Sequence, residues 1–175
     1  MDRVGLGRSR SHRHRRPARR GTLGSLMSES ALPPSLAAIR EDFLALSVQD
    51  RLQLLLEFSD TLPVVPEELV DPDAWERVEE CQSPVFITVD TTPAEVIVYA
   101  SAPEESPTTR GFASILVQGL HGMNPQQVLA VPPDFPLQLG LQSAVSMLRL
   151  RGMSGMLWRI KRQVDEGLAE LAATK

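Results

Sequence analysis

The chain has 175 residues, 42% hydrophobic and 23% charged, with a net charge of −4, which suits one globular domain with a sizeable core. No apolar run approaches the roughly 18 residues needed to span a bilayer, and the opening segment lacks the hydrophobic stretch of a secretory signal. The single cysteine, Cys81, excludes an intramolecular disulfide, a multi-cysteine zinc site and an iron–sulfur cluster held by this chain alone, and the expected compartment is the cytoplasm.

Residues 1–26 carry eight arginines against one acid, leaving ten basic and 21 acidic residues in the remainder, a net −11. Residues 1–30 are expected to be a disordered arginine-rich tail, because so few large apolar side chains cannot offset the entropy of ordering. Met27 opens a segment of different composition and is an alternative start. The domain is expected over 31–173. Its acidity argues against nucleic-acid binding by the body of the protein.

Pro33-Pro34-Ser35 reads as a helix entry, with Leu36, Ile39, Phe43 and Leu46 on one face. Ser47 with Asp50 makes a capping-box-like start for a second helix, whose Val48, Leu52, Leu55 and Ser59 share a stripe until Pro63 and Pro66 end it. Pro63 to Asp73 reads as a loop leading to Trp75 and Cys81. Val85–Val89 and Glu95–Ala100 are β-branched and aromatic runs that predict an antiparallel hairpin. A polar loop from Ser101 to Thr109 hands over to a helix with Phe112, Ile115, Leu116, Gly119, Leu120 and Met123 on one side. Asn124-Pro125 starts a short helix through Leu129, and a last helix uses Met153, Met156, Leu157, Ile160, Val164, Leu168 and Leu171. The pattern gives an α+β domain, with helices packed on a small antiparallel sheet.

Few side chains are candidates for chemistry. His12 and His14 lie in the basic tail, so His121, at a helix end, is the one histidine of the domain, and a Ser/His/acid triad fails. Glu67, Glu68, Asp71, Asp73, Glu76, Glu79 and Glu80 fit no metal or acid–base spacing and read as a solvated acidic loop. Those carboxylates oppose ionisation of the Cys81 thiol; Arg77, Arg110 and Arg149 are the cations available to counter them. Cys81 is a nucleophile or carrier, the site of an intermolecular bond, or a small buried apolar group.

In this order the pieces resemble the SufE family, sulfur acceptors that partner cysteine desulfurases in iron–sulfur cluster assembly. Val78-Glu79-Glu80-Cys81-Gln82-Ser83-Pro84-Val85-Phe86 is similar to the family's V-x-G-C-Q-S-x-V-W, with Glu80 in place of the glycine and Phe86 in place of the tryptophan. Ala102 to Gly111 resembles G-D-S-D-A-x-x-x-K/R-G; it keeps Arg110-Gly111, has Glu105 near the second acid, and has Pro103 for the first. Ser146 to Gly152, followed by Met156, reads as a further family-like loop, similar to L-T/S-P-S-R-x-x-G-x-x-x-M, keeping Arg149, Gly152 and Met156 but losing the proline.

The resemblance implies an α+β fold of about three antiparallel strands with helices packed on them, related to the IscU scaffold proteins. It implies that Cys81 takes a persulfide sulfur from a SufS-like, pyridoxal-phosphate-dependent cysteine desulfurase, stimulates that enzyme, and passes sulfur to a SufBCD-like iron–sulfur scaffold complex. Arg149, Arg110, Gln82 and Ser83 would be supporting or partner-facing residues. The pyridoxal phosphate belongs to the partner, so no cofactor, metal or membrane is expected for this chain. Trp75 and Phe86 are available as apolar cover for a persulfide, or as ordinary core. Two other readings stand beside the carrier: an allosteric adaptor that binds a desulfurase without transferring sulfur, and nucleic-acid binding through the basic tail.

Overall fold

A computed structural model describes residues 32–69 and 75–174; the expected tail, with Met27, lies outside the described residues, as do Asp71 and Asp73. The chain runs α1 (Pro34–Ala45), α2 (Val48–Asp60), β1 (Glu76–Arg77), β2 (Phe86–Thr91), β3 (Val96–Ser101), α3 (Pro107–Leu120), α4 (Pro125–Ala130), α5 (Phe135–Gln138) and α6 (Met147–Ala173). The helix starts follow local chemistry. Proline occupies the first turn of α1, α3, α4 and α5, where its missing N–H costs nothing. Ser47 accepts from Asp50 N–H, and Asn124 and Gln127 form a reciprocal capping box. At Ser47 the acid does not reach back to the backbone; the hydroxyl donates to Asp50 Oδ2 at 2.6 Å instead.

The three strands are antiparallel in the order β1-β2-β3. Ile87 faces Ala100, Val89 faces Val98 and Thr91 faces Val96, which sets the apolar members of both strands on one face. α6 crosses that face at β2, and α3 packs on β3. α3 is the spine of the molecule, buried almost throughout from Gly111 to Leu120. It approaches α2 so closely that a Cβ at Gly111 would stand 2.3 Å from Leu55 O.

Two expectations are corrected by this architecture. Ser146 to Gly152 is not a loop: Ser146 caps α6 by accepting from Arg149 N–H, and the helix runs unbroken for 27 residues. The acidic stretch is not wholly solvated either, because Glu76 enters β1 and it and Glu80 are drawn to a buried arginine of α6.

Candidate functional site

Cys81 sits in the loop joining β1 to β2. Val78 N–H donates to Val85 O at 2.9 Å and closes the base of the loop, and Cys81 N–H donates to Val78 O at 3.1 Å to make the turn. Val78 and Val85 are fully buried, whereas Glu79, Glu80 and Gln82 are exposed. Hydrophobic anchoring therefore fixes both ends of the loop, and the thiol itself is turned inward, with the residue 9% exposed.

α6 supplies the surface on which the thiol rests. A Cβ at Gly152 would stand 2.9 Å from Cys81 Sγ, and one at Gly155 would stand 2.7 Å from Glu80 Oε2. Residues three apart share a helix face, so the two glycines leave a bare strip into which the loop packs. Glycine inside a helix costs roughly 0.5–1 kcal/mol relative to alanine, and here close approach of the loop is what it provides.

One turn beyond Gly155, Arg159 is 7% exposed among apolar neighbours. Its Nη1 donates to Glu80 Oε2 at 2.5 Å and to Gly155 O at 3.2 Å. Its Nε lies 3.1 Å from Glu76 Oε1. Glu76 also accepts from Arg162 Nη2, and from Gln163 Nε2 at 3.0 Å. A buried guanidinium needs its charge matched, and two carboxylates, one from β1 and one from the loop that follows it, match it.

On its other side the loop borders a cleft of about 210 Å³. Gln82 and Ser83 line it from the loop, Glu105 to Thr109 from the start of α3, and Leu148, Arg149 and Gly152 from α6. Ser83 and Ser106 share a short hydroxyl–hydroxyl hydrogen bond that ties the loop to the cap of α3. Arg149 lies three residues before Gly152, on the rim; its guanidinium is exposed and makes no hydrogen bond or ion pair with the described residues.

The electrostatics disfavour the thiolate. Burial pushes the Cys81 thiol from 9.0 up to about 11; Glu80 adds to the shift and Arg159 opposes it. The thiol is therefore protonated near neutral pH, and a protonated thiol is a poor nucleophile. Negative neighbours act in the direction expected from the sequence, but burial is the larger cause, and the cation that counters them is Arg159.

The remaining candidates are placed as follows. Gln82, Ser83 and Arg149 surround the thiol at the cleft. Arg110 is elsewhere: its Nε donates to Ser59 O at 3.0 Å and its Nη1 to Ala102 O at 2.7 Å, stitching α3 to the end of α2 and to the chain leaving β3. Trp75 donates to Leu69 O at 2.8 Å, and neither it nor Phe86 lines the cleft, where the apolar cover comes from Leu148. His121 caps the C-terminus of α3, exposed. Among the described residues no group of His, Cys, Asp and Glu could hold a metal ion. The pairing of Arg159 with Glu76 and Glu80 is not foreseen from the sequence; an arginine three residues after Met156, beside Ile160 in the apolar stripe of the last helix, is the available signal.

A family model, SufE: Fe-S metabolism associated domain, matches residues 37–164. An uncharacterized SufE-like protein of Mycobacterium tuberculosis is 50% identical over 142 residues, which is 81% of this chain and 99% of that one. The solution structure of a hypothetical protein from Thermus thermophilus has a TM-score of 0.70 and 39% sequence identity, covering 79% of this chain and 99% of the other. A Plasmodium vivax protein named cysteine desulfuration protein SufE is 31% identical over 101 residues, 57% of this chain and 39% of that one. The matched span holds the whole thiol loop, the cleft and the part of α6 beneath them. The chain belongs to the SufE family.

Proposed function

We propose that the protein carries sulfur on Cys81. The thiolate attacks the outer sulfur of a persulfide on a partner cysteine desulfurase, the S–S bond of that persulfide breaks, and its inner sulfur leaves as a thiolate; Cys81 becomes the persulfide. This is exchange chemistry of the thiol–disulfide type. Delivery repeats the exchange with Cys81 as the donor: a thiolate of the acceptor, an iron–sulfur scaffold, attacks the outer sulfur on Cys81, the S–S bond breaks, and Cys81 leaves as the thiolate.

The observation that carries the reading is the position of the thiol: the one cysteine of the chain, folded inward at the edge of a polar cleft whose rim holds an arginine unpaired among the described residues. A closed thiol and a closed persulfide are both protected from oxidation, which follows thiolate character and exposure. The cost is low reactivity in the free protein, since the thiol is held at about 11. A docked partner supplies what the free protein lacks, opening the loop and lowering that value. Arg149 supplies positive charge where the incoming persulfide would lie, and the relative from Plasmodium vivax bears a name from desulfuration.

The buried, protonated thiol equally favours a second reading, an adaptor that stimulates a desulfurase through its surface alone. Turnover of cysteine by a desulfurase, with wild type or Cys81→Ser added, separates them. The carrier loses its stimulation on substitution; an adaptor keeps most of it.

A further inference from the structure

We propose that Glu80 is a latch: its carboxylate, seated over Gly155 on Arg159, holds the Cys81 thiol against Gly152, and its release frees the thiol to react. The inference rests on the reading of Cys81 as the reactive group, and it assigns Glu80 a positioning role within that reading.

The geometry makes the latch both firm and releasable. Glu80 and Cys81 are adjacent, and both rest on the glycine strip of α6, so release of the carboxylate from Arg159 removes a contact that holds the loop against the helix beside the thiol. Breaking a buried ion pair is costly when it strands a charge, but here it strands none. Arg159 keeps Glu76 at 3.1 Å and Gly155 O at 3.2 Å, while the Glu80 side chain, already 44% exposed, returns to water. Glu76 stays fixed by Arg162 and Gln163. Glu76 and Arg159 are thus the permanent part of the network, and Glu80 the detachable part.

Release also changes the field at sulfur. In the closed state Glu80 faces the thiol from its own loop and Arg159 faces it from α6, with Glu105 and Arg149 across the cleft. When Glu80 departs, the nearest negative charge goes and Arg159 remains, so exposure and ionisation rise together. One side chain therefore couples opening of the loop to activation of the nucleophile.

Glu80→Ala and Gly155→Ala test the latch from opposite sides. The first removes the carboxylate; the second puts a methyl group where the carboxylate lies, displacing it from Arg159. Alanine is about 1 kcal/mol better than glycine inside a helix, so Gly155→Ala should melt no lower than wild type, and its behaviour will not reflect a loosened fold. Iodoacetamide alkylation of Cys81 is followed across pH. Both variants should react about tenfold faster near pH 8, the effect of a midpoint lowered by about one unit. Rates and midpoints equal to wild type in both overturn the latch. Intact mass after incubation with a cysteine desulfurase and cysteine separates the two layers: sulfur accepted by wild type with alkylation unchanged in the variants sinks the latch alone. Faster alkylation in the variants with no sulfur accepted by any form leaves the latch and sinks the carrier.

Discussion

α6 presents two regions of opposite character within five turns. From Met147 to Arg151 its side chains are mostly exposed, with Met147 at 54% and Leu148 at 45%, and the Arg149 guanidinium has no partner among the described residues. From Gly152 to Val164 it is largely buried, and Arg159 is locked between Glu76 and Glu80. Arg159 and Arg149 of the same helix therefore do different work: Arg159 holds the loop from beneath, and Arg149 waits at the rim. Cys81 rests on Gly152, at the boundary between the fixed region and the free one.

Substituting the two arginines tests the contrast most strongly. Arg159→Ala removes a buried side chain and the cation that ties Glu80 to Glu76, and should lower unfolding stability by about 2 kcal/mol, read by urea denaturation. Arg149→Ala should change stability by less than about 0.5 kcal/mol, as surface substitutions do, yet slow sulfur loading from a desulfurase. Equal losses of stability would erase the distinction between the regions.

Gly152→Ala probes their boundary, because the added methyl group meets Cys81 Sγ at 2.9 Å and must push the thiol outward. Alkylation of Cys81 should accelerate while the melting temperature stays near or above wild type, helix propensity offsetting the lost contact. A slower reaction would mean that the thiol yields inward and that the loop is not resting on the helix as described.

The smallest effect is on the pH dependence of stability. The folded protein holds the Cys81 thiol at about 11 against an ordinary 9.0, so the folded state favours the protonated form. That contribution is complete below 9 and is lost as pH rises through about 11. Denaturation midpoints should fall more steeply over this range in wild type than in Cys81→Ser. Parallel curves would show that burial does not oppose ionisation.

Much of this arrangement is legible in the chain itself, and for local reasons. Ser47, Pro33-Pro34 and Asn124-Pro125 announce helices through their own backbone chemistry, the alternating β-branched residues of 85–100 announce the hairpin, and the four-residue α5 is too short to show a period. The thiol loop is marked by its residues. β1 is not, since Glu76 and Arg77 are polar and pair with β2 for only two residues. The start of α6 reads as a family-like loop because it lies ahead of the apolar stripe that begins at Met153; the purpose of the glycines at 152 and 155 is tertiary, to receive Cys81 and Glu80. The Arg159 network is illegible for the same reason: Glu80 and Arg159 are 79 residues apart, and only folding brings them together.

Whether Cys81 carries sulfur is decided by intact mass after incubation with a cysteine desulfurase and cysteine. One added sulfur atom is expected on the wild-type chain, released by a thiol reductant and absent from Cys81→Ser. An unchanged mass with every desulfurase of the same cell, or a sulfur that persists in Cys81→Ser, would contradict it.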